Sequence, residues 1–251
     1  MHATQYALLA LAGFAAGAVN ALAGGGTLIS FPVLMALGVP AISANLSNTI
    51  ALCPGYLGAT LAQRAELRGQ GARFRALLPV ALAGGLGGAW LLLHTGERAF
   101  TAAVPWLILL ACALLAVQDR VRNALAARGP SGATTFWLLP LLGLAAVYGG
   151  YFGAGMGVML LAVLGLMYTD TLPRINALKQ AVSLAANLAA AVLLALSAPV
   201  NGRLIAVLSL SALLGGAAGG RLARRLSAPL LRGTMVLLGV AIAAVYLLRR
   251  A

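Results

Sequence analysis

Carboxylates are the scarcest functional groups here: 251 residues contain four acids, Glu66, Glu97, Asp119 and Asp170. All four fall in stretches that read as loops, so none is placed to hold a cation or relay a proton within an apolar core. The same shortage removes carboxylate-pair hydrolysis and a Ser/His/Asp triad. No Cys or His neighbours have metal-ligand spacing, so no metal and no cofactor are expected. Lys179 is the only lysine. The two cysteines, Cys53 and Cys112, lie in apolar segments and read as small buried hydrophobes rather than a disulfide.

Charge as a whole is thin. Charged residues make up 8% of the chain and hydrophobic ones 62%, with mean hydropathy +0.98. A soluble domain is nearer about 25% charged, so too few charges exist to cover a water-facing surface. The chain reads as an all-α polytopic membrane protein whose partner is the lipid bilayer. Its net charge of +13 does not point to nucleic acid, because no basic run is interleaved with exposed aromatics. Arginine clusters instead in short stretches: Arg64, Arg68, Arg73 and Arg75; Arg120, Arg122 and Arg128; Arg221, Arg224, Arg225 and Arg232. Loop-confined arginine marks the cytoplasmic side of a membrane protein. The first residues carry no Lys or Arg and so lack the basic start of a signal peptide, and the first apolar segment is expected to stay as a span.

Apolar segments fall at 6–23, 27–38, 44–63, 76–94, 99–117, 136–153, 156–168, 175–197, 203–220 and 233–248. A span needs about 20 residues, so 27–38 and 156–168 are too short to cross alone. Each follows a glycine-rich break, Gly24-Gly25-Gly26 or Gly153-Ala154-Gly155-Met156-Gly157. The halves repeat: Gly13-Phe14-Ala15-Ala16 matches Gly143-Leu144-Ala145-Ala146, Gly25 matches Gly155 and, after a one-residue insertion, Asn45 matches Asn176. Each half is thus a glycine-broken helical hairpin followed by three spans, with repeats at 1–118 and 136–251 joined by a basic cytoplasmic linker at 119–135. Arginine falls on opposite loops in the two halves: 64–75 is basic where 198–203 is not, and 221–232 is basic where the loop at Glu97 and Arg98 is not. Equivalent loops then face opposite sides, an inverted-topology repeat of the kind secondary transporters use. Arg249 and Arg250 would lie outside, against that rule.

Asn176, Lys179, Gln180, Ser183 and Asn187 share one face of a helix, and Asn45, Asn48 and Thr49 repeat the stripe 131 positions upstream. Polar groups are expensive in hydrocarbon, so a duplicated stripe points to a lined pathway. The glycine breaks have two readings. Backbone N–H groups of Gly25, Gly26, Thr27 and residues 155–157, Gly155 and Gly157 among them, can hold an anion at half-helix starts, or the glycines can serve close helix packing. Gly84–Gly88 and Gly215–Gly220 read as packing. Lys179 either faces the anion or snorkels to the headgroups. Asn20, Tyr148 and Tyr151 precede the breaks, and the tyrosines read as cavity hydroxyls or interface anchors.

The residues Gly17, Asn20, Ala23-Gly24-Gly25-Gly26-Thr27-Leu28-Ile29, Pro32, Leu37-Gly38-Val39-Pro40 and Ala44-Asn45 resemble the TauE/SafE sulfite-exporter family. Gly149-Gly150-Tyr151-Phe152-Gly153-Ala154-Gly155-Met156-Gly157 and Asn176-Ala177-Leu178-Lys179 are similar to its second copy. The resemblance implies a multi-pass permease of the bacterial cytoplasmic membrane for sulfite, organosulfonates or related sulfur oxyanions, working as an exporter. The second copy departs from the first, with Ala154, Met156 and Ala162 where the first has Gly24, Gly26 and Pro32, so the two tips are not chemically equivalent. Expected substrate-binding residues are Asn20, Gly25, Gly26, Thr27, Asn45, Asn48, Thr49, Tyr151, Gly155, Gly157, Asn176, Lys179 and Gln180, serving a small anion. A non-transporting scaffold subunit and an integral-membrane enzyme are the alternatives. Nothing in the sequence decides between a monomer and a homodimer.

Overall fold

The structure of the chain, a computed structural model, describes residues 2–22, 24–127, 136–222 and 228–248. Among these the chain is all-helical: α1 (Ala3–Leu22), α2 (Thr27–Ala36), α3 (Ala41–Ala62), α4 (Gly71–His94), α5 (Glu97–Ala127), α6 (Leu139–Tyr151), α7 (Met156–Met167), α8 (Leu172–Ser197), α9 (Gly202–Leu222) and α10 (Ala228–Leu248), with a single 3-10 turn at Phe136–Leu138. Five helices, α1, α4, α5, α8 and α9, are long and apolar enough to cross a membrane. Helix α3 has 22 residues but buries Asn45, Ser47, Asn48 and Thr49, and that polar content keeps it out of the set. The outer surface carries exposed Leu11, Trp106, Leu210 and Leu237 while Asn, Gln, Ser and Lys side chains lie inside. That reverses the soluble arrangement and suits a lipid surround.

Boundaries differ from expectation in three places. The arm expected over 136–153 is helical as α6 only from 139 to 151, because Pro140 starts the helix after the 3-10 turn. The segment expected over 99–117 extends as α5 to Ala127, since Gln118–Ala127 has no Gly or Pro and is rich in good helix formers. Asp119, expected in a loop, is therefore helical. Arg73 and Arg75 likewise lie in α4 rather than in the loop before it. The part of the linker at 128–135 and the Arg249–Arg250 tail lie outside the described residues, as do Arg224 and Arg225.

The packing exchanges partners between halves. Helix α1 packs on α9 and α6 on α4; α3 packs on α9 and α8 on α4; α2 meets α10 and α7 meets α5. Helices α3 and α8 pack on each other in opposite directions. Asn176 Nδ2 near the start of α8 donates to Gln63 Oε1 beyond the end of α3 at 2.7 Å, and Asn187 Nδ2 donates to the Thr49 carbonyl at 2.9 Å. Glycine makes these contacts close. A Cβ on Gly85 would stand 2.0 Å from the Ala186 carbonyl oxygen, on Gly88 2.0 Å from that of Val147, and on Gly216 2.2 Å from that of Gly55. The runs at 84–88 and 215–220 are therefore packing surfaces, as small residues in membrane helices commonly are.

Two carboxylates tie distant elements. Glu97, the first residue of α5, accepts from the Ala41 N–H at 2.6 Å and the Ile42 N–H at 3.3 Å. It caps α3, whose own N-cap residue Pro40 has no side-chain acceptor. Asp170 accepts from Arg73 Nη1 at 2.6 Å and Arg174 Nε at 2.9 Å, while Gln70 Nε2 donates to the Arg174 carbonyl at 2.9 Å. This clasp joins the α3–α4 turn to the α7–α8 connection. Burial pushes the Asp170 carboxyl up, but the hydrogen bonds from Arg73 and Arg174 outweigh it and hold it below the ordinary 3.8.

Candidate functional site: the glycine crossing

The two glycine breaks meet in the interior. Gly24 has φ +79°, Gly153 +84° and Gly155 +81°, a left-handed backbone that glycine adopts without strain. The Gly155 N–H donates to the Gly24 carbonyl at 3.1 Å, and a Cβ on Gly157 would stand 2.8 Å from Gly24 Cα. The breaks thus cross backbone to backbone, and α2 and α7 begin on either side of the crossing. Because Gly155 spends its N–H on Gly24, it builds the crossing instead of offering a donor. Met156 N–H also turns inward, to the Gly153 carbonyl at 3.3 Å. Gly26 N–H donates to Asn20 Oδ1 at 2.8 Å, so Asn20 caps the start of α2 and that donor too is taken. Among the described residues no acceptor meets the N–H of Gly25 or Gly157.

Around the crossing, α3 and α8 present their stripes differently. On α3, Asn48 Nδ2 donates to Thr27 Oγ1 at 3.2 Å, and Ser30 Oγ donates to Asn48 Oδ1 and to the Gly26 carbonyl. Thr27 Oγ1 in turn lies 3.7 Å from the position of a Cβ on Gly153. Thr27, Ser30 and Asn48 are therefore hydrogen-bonded to one another within the first half. The equivalent positions of the second half are Lys179 for Asn48 and Gly157 for Thr27. Lys179 is 1% exposed, its Nζ lies 3.6 Å from the position of a Cβ on Gly157, and no acceptor meets it among the described residues. The side chain does not reach toward headgroups. It ends at the crossing as a buried amino group with no acceptor beside it, where holding a proton is costly without an anion.

Other buried polar atoms are also without partners among the described residues: Ser183 Oγ, one turn after Lys179, Gln180 Oε1, Asn20 Nδ2 and Asn45 Oδ1. Native interiors leave few such atoms, so a cluster of them calls for an explanation. Gln180 Nε2 donates to the carbonyls of Asn20 at 3.1 Å and Ala21 at 2.8 Å, and Asn45 Nδ2 donates to the Tyr151 carbonyl at 2.7 Å. Each amide thus serves the carbonyl end of a broken arm from the opposite half. Tyr148 donates its hydroxyl to the Ala154 carbonyl at 2.6 Å and braces the second break. Tyr151 packs its ring edge-on against Phe100.

Two expected residues stand apart. Thr49 meets Asn187 through its backbone carbonyl, beside Cys53, where Asn187 Nδ2 lies 3.1 Å from Sγ. This end of the stripe joins α3 to α8. Asn176 lies at the other end, bonded to Gln63, and lines a cavity of about 340 Å³ with Gln118, Arg122 and Arg221. Sequence reasoning passed over Ser30, which sits one turn beyond the glycines in an apolar run, and over Gln63 and Gln118, which sit at segment ends and resemble interface residues. Ser183 belonged to the stripe and was not singled out for binding.

The site offers one lysine amino group, backbone N–H groups and several amides, with no acid among these groups. That set suits an oxyanion and has no group to cleave or oxidise it. No curated protein and no solved structure matches the chain. The family model described as sulfite exporter TauE/SafE matches residues 9–246, and the chain belongs to that family of multi-pass membrane transporters, which are not enzymes.

Proposed function

We propose that the chain carries a small sulfur oxyanion, sulfite or an organosulfonate, out of a bacterial cell across the cytoplasmic membrane by alternating access. The observation that carries this is Lys179 Nζ, buried at the Gly24–Gly157 crossing without a counter-charge. A bound anion supplies the missing charge, and the N–H groups of Gly25 and Gly157 with the Ser183 hydroxyl supply further donors. Asn20, Gly26, Thr27, Asn45, Asn48, Tyr151, Gly155 and Gln180 hold the two breaks in register and so shape the site.

Two inverted repeats, 1–118 and 136–251, rock about this crossing. The exchanged packing partners and the opposed directions of α3 and α8 support that reading. The cavity reaches Asn176, one helical turn before Lys179, and Lys179 itself is sealed from it, which fits a conformation closed at the centre. Export draws on the membrane potential, since an anion leaving a negative interior gains about 2.3 kcal/mol per charge per 100 mV.

The test is sulfite flux by the purified protein in liposomes beside binding to Lys179→Met. Affinity should fall by about 1.5–3 kcal/mol, the range of a hydrogen bond to a charged group, and Lys179→Arg should lose less. Undiminished flux and binding in a folded Lys179→Met protein would remove the ammonium from the site.

A further inference from the structure

We infer that the cavity at the end of the polar stripe is a second anion site, a vestibule that collects small oxyanions before they reach the crossing. Its role as an inlet rests on the transport reading; its affinity for anions does not. The cavity of about 340 Å³ is walled by the ends of α1, α3 and α9, by Gln118 and Arg122 on α5, by Leu161 on α7 and by the start of α8. That volume falls within the range of small-molecule pockets, about 300–1,000 Å³.

Its polar lining is Gln63, Gln118, Asn176, Arg122, Arg221 and Glu66. Two full positive charges face one negative, and Glu66 is itself engaged by another group. Among the described residues Gln63 Nε2 and Gln118 Oε1 are buried without partners, on residues 7% and 2% exposed. An oxyanion accepts from Gln63 Nε2, and Gln118 meets it by presenting its other amide atom, since rotation of the amide exchanges the two. The C-termini of α1, α3 and α9 converge on this cavity and disfavour an anion, but at α1 and α3 the end carbonyls are largely answered. Gln180 takes those of Asn20 and Ala21, and the Gln63 and Arg64 N–H groups take those of Ala59, Thr60 and Leu61. The residual half-charge of a helix end is smaller than one guanidinium. Helix α8 adds its positive end, with Leu172 and Pro173 in the wall.

The site is tested without relying on transport. In liposomes carrying Ala62→Cys protein, with Cys53 and Cys112 replaced by alanine, the new thiol lines the cavity. With each rate taken relative to the same reagent's rate with free 2-mercaptoethanol, a negatively charged sulfonatoethyl methanethiosulfonate should modify it about tenfold faster than the cationic trimethylammonioethyl reagent at low salt, the low end of electrostatic focusing in a charged cleft. Arg122→Gln with Arg221→Gln should bring the two rates together, and millimolar ethanesulfonate should slow the reaction. Arg122→Lys with Arg221→Lys should keep the preference, which separates charge from folding. Equal rates for both reagents, a preference that survives the glutamine pair, or no protection by ethanesulfonate would overturn the vestibule. Protection only by added phosphatidylglycerol would make the ligand a lipid headgroup and overturn it equally. Protein that shows the preference but moves no sulfite keeps the vestibule and loses the transport reading; flux without the preference does the reverse.

Discussion

At the scale of single residues, the two halves of the molecule differ most where they are most alike in position. Asn48 is satisfied by Thr27 and Ser30, while Lys179 faces a glycine and, among the described residues, no partner. Gly157→Ala tests the crossing itself, because the new Cβ would stand 2.8 Å from Gly24 Cα and 3.6 Å from Lys179 Nζ. The breaks must then separate, and sulfite flux in liposomes should fall at least about tenfold, as misplacement by about 1 Å costs far more than that in other sites. Full flux in Gly157→Ala would show that the two breaks need not touch. Glu97 makes a prediction on stability alone. Its carboxylate meets two N–H groups of α3, so Glu97→Gln should lower stability by about 1 kcal/mol, as for loss of a helix cap with its charge. A melting temperature equal to the parent's in detergent would mean that water serves those N–H groups as well.

At the scale of elements, glycine sets the distance between helices and the Asp170 clasp joins their ends. Gly85→Leu would drive a side chain into the Ala186 carbonyl, 2.0 Å from its Cβ. The α4–α8 contact must then open, costing about 1–3 kcal/mol or more; a folded, monodisperse yield unchanged from the parent would contradict that. Asp170 pairs with Arg73 and Arg174, and its folded carboxyl lies below the ordinary 3.8. Its contribution is therefore full above about pH 4 and fades as pH falls through the lowered folded value. Asp170→Asn should reduce melting temperature at pH 7 by the equivalent of about 1 kcal/mol, since the pair is partly exposed, and the difference should shrink as the pH drops well below 4. A deficit that stayed constant with pH would assign the effect to packing.

At the scale of the whole molecule, the ends of α3 and α9, Gln118 and Arg122 on α5 and the start of α8 share one cavity. The basic stretches at 64–75, 119–135 and 221–232 therefore start from one end of the bundle. Placing that end in the cytoplasm leads to a labelling prediction. With Cys53 and Cys112 replaced, Arg68→Cys and Arg120→Cys should resist an impermeant thiol reagent added to intact cells, and both should react in inverted vesicles. Modification of Arg68→Cys from outside would reverse the orientation, and modification of only one of the two would break the inverted arrangement.

Much of this was legible in the sequence, for a physical reason. Membrane spans must satisfy their own backbone and expose apolar side chains, so composition alone marks an all-helical, multi-pass chain, and glycine runs beside short apolar pieces mark the breaks. The stripe from Asn176 to Asn187 follows from helical spacing, which depends on neighbours along the chain. Tertiary structure decided what the stripe does. It took the Gly155 N–H out of play by setting the Gly24 carbonyl against it, gave Asn187 to α3, gave Asn176 to the cavity, and left Lys179 alone at the crossing. Which donor stays free depends on partners more than a hundred residues away, and local spacing carries no information about them.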